Sequence, residues 1–113
     1  MTSKTDSYPV FVKWSETTDW ILDITEKMPK SVRFSLSSRI ANLALDVVEA
    51  IVAAIYTKNR AHMLDRANLY IEKLRVLFGI CHRRKYISMR QYAHISERLN
   101  EAGQMIGGWR KSL

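Results

Sequence analysis

Apolar residues recur at steps of three and four along most of the chain, which is the spacing of one face of a helix. The longest apolar stretch, residues 39–56, is interrupted only by a narrow polar stripe. This stripe consists of Arg39, Asn42, Asp46 and Glu49. A helix with so little polar surface needs apolar cover on more than one side. The pattern therefore predicts that the other helices pack around residues 39–56 and that a second chain covers the remainder.

Residues that start or stop helices predict the boundaries in the first half of the chain. The first predicted helix covers residues 9–28, because proline suits a first helical turn and Pro29 prevents the helix from continuing. The second predicted helix covers residues 32–57, with Ser31 as its N-cap residue.

The second half of the chain predicts two further helices. Asn59 is the expected cap of the third helix, which runs to about His82 and contains Gly79, a sign of close approach by another backbone. Ser88 and Gln91 have the spacing of a capping box and predict the start of the fourth helix. Its apolar seam consists of Tyr92, Ile95, Leu99, Ala102, Ile106 and Trp109. Gly107 and Gly108 predict that this helix ends there or packs tightly against a neighbour.

Four helices joined by short connections run in alternating directions. The sequence thus predicts an all-α fold, an antiparallel up-and-down four-helix bundle over residues 9–113 that assembles into a ring-like homo-oligomer. Residues 1–8 are polar and are predicted to be frayed. A chain of 113 residues with a single cysteine can bury a core without disulfides, which favours a reducing, cytoplasmic location. No apolar segment has the length and low charge of a membrane span, so we expect no membrane partner.

The distribution of charge points to a polyanionic partner. Residues 1–56 carry six Lys or Arg against seven Asp or Glu, whereas residues 57–113 carry twelve against four. A basic excess confined to one half of a chain is typical of nucleic-acid binding, although a basic surface can also serve solubility alone. The candidate nucleic-acid-binding residues are Arg66, Lys73, Arg75, Arg83, Arg84, Lys85, Arg90, Arg98, Arg110 and Lys111. Tyr86, within the densest basic run, either stacks on an unpaired base or anchors the loop.

The alanine-rich flank of the second helix is the predicted contact with another copy of the chain, because small side chains let two helices approach closely. The residues are Ala41, Ala44, Ala53 and Ala54. The alternative is a monomeric bundle in which residues 39–56 form a central helix covered by its own neighbours.

Candidate catalytic and metal-binding residues give little support for an enzyme. No Glu is followed by a His three residues later, as di-iron bundles require, and the three histidines include no pair at a spacing of four. We therefore predict no metal and no cofactor. Arg75 and His82 loosely resemble the Arg and His of helical ribonucleases of the higher eukaryote and prokaryote nucleotide-binding type, but Val76 stands where a polar residue is expected. A non-enzyme is favoured, with a ribonuclease as an alternative.

Several short motifs together resemble the accessory variability determinant proteins of diversity-generating retroelements. They are Trp20-Ile21, Met28-Pro29-Lys30, Arg33-Phe34, Leu74-Arg75, Ile87-Ser88 and a tail from Glu101 to Trp109 that contains Gly-Gly-Trp. The chain is similar also to the related four-helix proteins encoded in ribosomal RNA intervening sequences. The resemblance extends over residues 11–111.

This resemblance implies a homopentamer, barrel-like or conical, with a basic central channel. It also implies a protein that is not an enzyme and that binds a reverse transcriptase and its template RNA to support mutagenic complementary DNA synthesis. Arg75 matches a basic position of the family, whereas Gln104 stands where members can have Arg. A generic helical interaction module of the ribosomal-intervening type remains the alternative.

Overall fold

The computed structural model describes residues 3–113, which form helices and turns without strands. The four α-helices are α1 (Pro9–Glu26), α2 (Ser38–Tyr56), α3 (Arg60–Arg83) and α4 (Met89–Lys111). Each helix packs against the next along the chain, and α1 also packs against α4, which closes the bundle. Tyr8, just before α1, packs on Trp109 near the end of α4, whereas Trp20 in the second half of α1 packs on His94 near the start of α4, so these two helices run in opposite directions. The predicted antiparallel four-helix bundle is confirmed.

Within the chain, α2 packs on both α1 and α3. Its buried residues are Ile40, Ala44, Val47, Ala50, Ile51, Ala54 and Ile55. The side chain of Trp14, which is 1% exposed, reaches across from α1. Its indole Nε1 donates a hydrogen bond of 3.0 Å to the carbonyl oxygen of Ala44. Full burial of one such apolar side chain stabilises the fold by about 1.5–3 kcal/mol, so this core is the main source of stability.

The start of α2 differs from the prediction. Residues Lys30–Val32 form a 3₁₀ turn and Arg33–Ser37 form a π-helical turn, and only then does the α-helix begin. Ser31 lies within the 3₁₀ turn, so its prediction as an N-cap residue is wrong. Tertiary burial decides this path, because Val32 and Ser37 are both buried. The Ser37 hydroxyl contacts the Met28 sulfur at 3.6 Å, which fixes the turn to the end of α1.

The remaining boundaries lie close to the predicted ones. α1 ends at Glu26 rather than Met28, because the Lys27 N–H bonds back to Ile24 in a tighter turn. Asn59 occupies the N-cap position of α3 but makes no side-chain cap bond. The capping box at α4 is confirmed, with Ser88 Oγ accepting from the Gln91 N–H at 3.1 Å and the Gln91 side chain accepting from the Ser88 N–H at 2.8 Å.

The predictions that α4 ends or packs tightly at Gly107 and Gly108, and that another backbone approaches Gly79, are wrong for the single chain. α4 continues through Gly107 and Gly108 to Lys111. A Cβ at either glycine would meet no other part of the protein within 4 Å, so neither residue packs tightly. A Cβ at Gly79 would lie 3.8 Å from the Tyr92 hydroxyl, so the close neighbour is a side chain and not a backbone.

The segment before α1 is described from Ser3 onward. Residues Lys4–Ser7 form a 3₁₀ turn, and the Tyr8 ring packs against Trp109 with centroids 5.2 Å apart. The predicted frayed segment, residues 1–8, falls partly outside the described residues, since residues 1 and 2 are not included. Within residues 3–113, no helix combines the length and apolar character that crossing a bilayer requires.

Candidate nucleic-acid interface

The up-and-down topology brings the α1–α2 connection and the α3–α4 connection to the same end of the bundle. This end carries seven basic residues, all of them exposed. We call this surface the basic end: Lys27, Lys30, Arg33, Arg83, Arg84, Lys85 and Arg90. The long axis of the molecule is 41 Å, so these charges occupy one pole of the molecule rather than its whole surface.

The charges of the basic end are not neutralised by ion pairs. Residues 27–37 and 83–96 contain no Asp or Glu. In the described part of the chain, none of the seven side chains lies within salt-bridge distance of a carboxylate. A cluster of unpaired cations raises the local positive potential and attracts a polyanion. The surface is therefore suited to contacts with phosphate groups.

The α3–α4 connection owes its shape to Lys85 and Tyr86. Lys85 has a φ of 62°, a left-handed conformation that costs a non-glycine residue about 1–3 kcal/mol. The Tyr86 N–H bonds to the Cys81 carbonyl at 2.9 Å, which secures the turn. Arg84 Nε donates to the Tyr86 hydroxyl at 3.3 Å, and this bond raises the pKa of Arg84. Because Tyr86 is also packed against the core, it anchors the loop.

Arg75 does not lie at the basic end. Its side chain lies between α3 and α4 and forms hydrogen bonds with residues of both helices. Its Nε donates to Glu72 at 2.8 Å, and its Nη2 donates to the Leu99 carbonyl at 3.4 Å. Asn100 accepts a further hydrogen bond from Nη1. With these partners Arg75 joins the two helices.

Arg98 and Arg110 are paired as well. Arg98 lies 3.2 Å from Glu97 and 3.7 Å from Glu101. Glu101 also accepts a hydrogen bond from Lys13, which is the main reason why its pKa is lowered. Arg110 Nε lies 3.1 Å from Asp65, in the first turns of α3. These contacts tie α4 to both of its neighbours.

The last three predicted cations lie away from the basic end. Arg66 donates to the Tyr70 hydroxyl at 2.6 Å, and Lys73 Nζ lies 5.9 Å from the centroid of the same ring, on the outer face of α3. Lys111 follows Arg110 at the end of α4. Arg110 lies twenty positions after Arg90 along α4, which at a rise of 1.5 Å per residue is about 30 Å.

The structure thus divides the ten predicted residues. It brings together Arg83, Arg84, Lys85 and Arg90, and it does not place the other six with them. Lys27, Lys30 and Arg33 lie with these four residues at the basic end, although they were not among the ten predicted residues. The signal that could have found them is the helix break at Pro29, since an up-and-down bundle puts that break beside the α3–α4 connection.

The same chain matches a known protein family over nearly its whole length. A family model described as bAvd-like matches residues 10–113. The chain belongs to the bAvd-like family. The match confirms the family suggested by the residue motifs, and it covers the four helices apart from Pro9. Comparison with curated proteins finds no match.

The predicted alanine interface is only partly accessible in this bAvd-like chain. Ala44 and Ala54 are fully buried within the bundle, so a second chain cannot reach them. Ala41 and Ala53 are partly exposed, so contact with another copy of the chain remains a prediction for these two residues. Leu45, one turn beyond Ala41 on α2, is 42% exposed and extends the accessible apolar surface.

The bAvd-like chain uses the two candidate ribonuclease residues in packing. Arg75 joins α3 to α4, and the His82 ring stacks on Tyr92 with centroids 4.5 Å apart and an interplanar angle of 7°. Over residues 3–113, no group of three or more His, Cys, Asp or Glu is arranged to hold a metal ion.

Proposed function

We propose that this chain is a non-catalytic accessory protein of a diversity-generating retroelement. In this proposal it forms a homopentameric ring that binds a reverse transcriptase and its template RNA and supports mutagenic complementary DNA synthesis. The observation that carries the accessory role is the match to the bAvd-like family over residues 10–113.

The basic end supports the RNA-binding part of the proposal. Its seven cations are exposed, and within residues 3–113 they form no ion pairs, so phosphates can replace solvent and counterions around them. Contacts of this kind position RNA without reading its sequence. We therefore expect affinity that falls steeply with salt and that depends little on RNA sequence.

Apolar surface on two different flanks supports a ring. On one flank Ala41 and Leu45 of α2 are accessible. On the other, a cleft of about 620 Å³ between α2 and α3 is lined by Leu43, Val76 and Leu77 among others. A contact between unlike faces repeats head to tail and closes into a ring when the rotation allows it. In such a ring all the basic ends lie on the same side, so weak contacts act at high effective concentration.

RNA binding tests the proposal directly. The measurement is fluorescence anisotropy of a labelled RNA stem-loop with a single-stranded tail, from 50 to 300 mM salt. We expect reversal of Arg83, Arg84 and Lys85 to Glu to weaken binding by at least about tenfold and to flatten the salt dependence. Simultaneous reversal of Lys58, Arg60 and Lys111 to Glu, at the opposite end, changes the net charge equally and should lower affinity much less. Wild-type protein that binds no RNA at 50 mM salt would contradict this part.

The remaining parts of the proposal need separate measurements. Mass determination in solution should give five times the chain mass of 13.2 kDa. Co-expression with a reverse transcriptase of a diversity-generating retroelement should give a complex that survives purification at moderate salt. A monomeric mass at micromolar concentration would contradict the homopentameric ring but would not test RNA binding.

A further inference from the structure

Phe34 is the most exposed of the large hydrophobic side chains, at 89%. It lies in the π-helical turn Arg33–Ser37, at the basic end. We propose that Phe34 is a stacking platform for an unpaired base of single-stranded nucleic acid held at the basic end. The inference rests on the proposed RNA binding and narrows it to one class of ligand.

The exposure of Phe34 is costly and therefore informative. Covering an aromatic side chain of this size stabilises a protein by about 1.5–3 kcal/mol, yet the bundle leaves this ring in water. Phe11, Trp20 and Tyr86, by contrast, pack at least partly against the core, and the one other exposed aromatic residue among residues 3–113, Tyr56, is 56% exposed. The turn itself is unusual, because the Ser38 N–H bonds back to the Arg33 carbonyl five residues earlier. π-helical turns are rare and occur frequently at functional sites.

The chemistry around the ring matches the flanks of a stacked base. Phe34 directly follows Arg33, and Lys30 lies one turn earlier. Both also line an open cleft of about 500 Å³ beside the π-helical turn, together with Ser37, Ser38 and Glu26, although Phe34 itself projects outside this cleft. A ring with cations beside it is the usual arrangement for binding single strands, because the base stacks while the backbone phosphates contact Lys and Arg. Phenylalanine offers no hydrogen bond, so this contact tolerates any base.

A single strand fits this surface better than a duplex does. Bases in a duplex are stacked and paired, so an aromatic side chain on a protein surface cannot cover their faces. Unpaired bases in loops and tails are accessible to such a ring. Between the helices at the basic end, in residues 27–37 and 84–88, the two aromatic residues are Phe34 and Tyr86, and only Phe34 is exposed.

The surroundings of Phe34 favour nucleic acid over a protein partner. Protein interfaces are enriched in aromatic residues and Arg, but Lys and Ser are depleted in them. Phe34 instead lies among Lys30, Arg33 and Ser35, all of them exposed. A second copy of the chain would have to desolvate these cations to cover the ring, whereas a phosphate backbone pairs with them.

The test compares two ligands and two variants of the full chain. Anisotropy is measured with a labelled 12-nucleotide oligouridine and with a 12-base-pair RNA duplex at one moderate salt concentration. We expect Phe34→Ala to weaken oligouridine binding by roughly five- to 150-fold, the range found when a stacking aromatic is replaced by alanine. Duplex affinity should change less than about twofold, and Phe34→Trp should keep oligouridine affinity near the wild-type value. Leu69→Ala, on an exposed apolar residue of α3 that belongs to none of the proposed contacts, is the control for loss of surface hydrophobicity.

The outcomes separate the two proposals. If wild-type protein binds neither ligand, RNA binding itself fails. If wild-type binds both and Phe34→Ala leaves oligouridine affinity unchanged, the stacking platform is overturned while the basic end stands. Equal losses for oligouridine and duplex, or a smaller particle mass for Phe34→Ala in solution, would also overturn it. A smaller particle mass would indicate that the Phe34 side chain contacts another copy of the chain.

Discussion

Arg75 of α3 and Gly103 of α4 face each other so closely that Arg75 Nη2 lies 3.4 Å from the position of a Cβ on residue 103. The missing side chain leaves room for the guanidinium to reach Leu99 and Asn100 on α4. Arg75, the residue that matches a basic position of the family, therefore holds two helices together. Its charge is shared with Glu72, 2.8 Å away.

We predict that Gly103→Leu lowers the free energy of unfolding by about 1–3 kcal/mol, because the added side chain displaces Arg75 from its partners. Gly107→Leu is the matched control, since a Cβ there meets nothing within 4 Å. In a helix interior this control should raise stability by about 0.5–1 kcal/mol. Urea denaturation monitored by circular dichroism measures both changes. Equal effects of the two substitutions would show that Arg75 does not depend on Gly103.

Trp14 offers a second prediction, because its indole both fills the core and donates to the Ala44 carbonyl. Trp14→Phe removes the donor and leaves a small cavity, so we expect a loss of about 1–3 kcal/mol in the free energy of unfolding. Trp20→Phe provides the comparison, since Trp20 is only partly buried and packs against His94 with centroids 4.9 Å apart. Thermal denaturation should show a clearly larger decrease in Tm for Trp14→Phe. A loss of the same size for both would contradict the role given to the buried indole.

Glu101 predicts a specific dependence of stability on pH. The hydrogen bond from Lys13, with a further contribution from Arg98, lowers the pKa of Glu101 below its ordinary value of 4.5. A lowered pKa stabilises the folded state above the unfolded value, and this contribution is lost as pH falls through the folded value. The stability difference between wild type and Glu101→Gln should therefore shrink between pH 7 and pH 3. It should also shrink at high salt, because the pair is accessible to solvent.

Glu16→Gln is the control for that experiment, because Glu16 forms no ion pair with any residue from 3 to 113. Its stability difference from wild type should change less between pH 7 and pH 3 than that of Glu101→Gln, because no ion pair is lost. A Glu101→Gln difference that is equally flat would show that the contact with Lys13 does not persist in solution.

We predict that a thiol reagent modifies Cys81 slowly in the folded protein. The side chain is fully buried, and burial raises the pKa of its thiol. Because the thiolate is the reactive form, a thiol reagent at pH 8 should modify native Cys81 only as fast as the protein opens. Ser35→Cys in the Cys81→Ala background places a thiol in the exposed turn and should react at the rate of a free cysteine. Fast modification of Cys81 in folded protein would indicate that α3 opens locally without global unfolding.

The spacing of apolar residues in the sequence was sufficient to predict the four helices, because each helix buries a continuous apolar face. The capping box at Ser88 and the break at Pro29 are local signals, and both lie where they were predicted. The exception is the winding between Lys30 and Ser37, which no local preference indicates. There the burial of Val32 and Ser37 against the bundle decides the backbone path.

The candidate binding surface was harder to predict, because a linear charge pattern does not show which cations have partners. Arg98 and Arg110 pair with Glu101 and Asp65 on the same or a neighbouring helix, and only the folded chain reveals this. The sequence also does not show how α2 is rotated about its axis, and this rotation decides which alanines of the flank face the core. Ala41 and Ala44 are three residues apart, yet one is partly exposed and the other fully buried.

The π-helical turn has a consequence for the orientation of Phe34. A turn closed by a bond five residues back holds one residue more than an α-helical turn. Deleting Ser35 would let ordinary winding continue upstream of α2 and would swing the aromatic ring by about 100° around the helix axis. Every positive charge would remain in the chain, so the deletion would change only the direction in which the ring projects from the pole of the molecule.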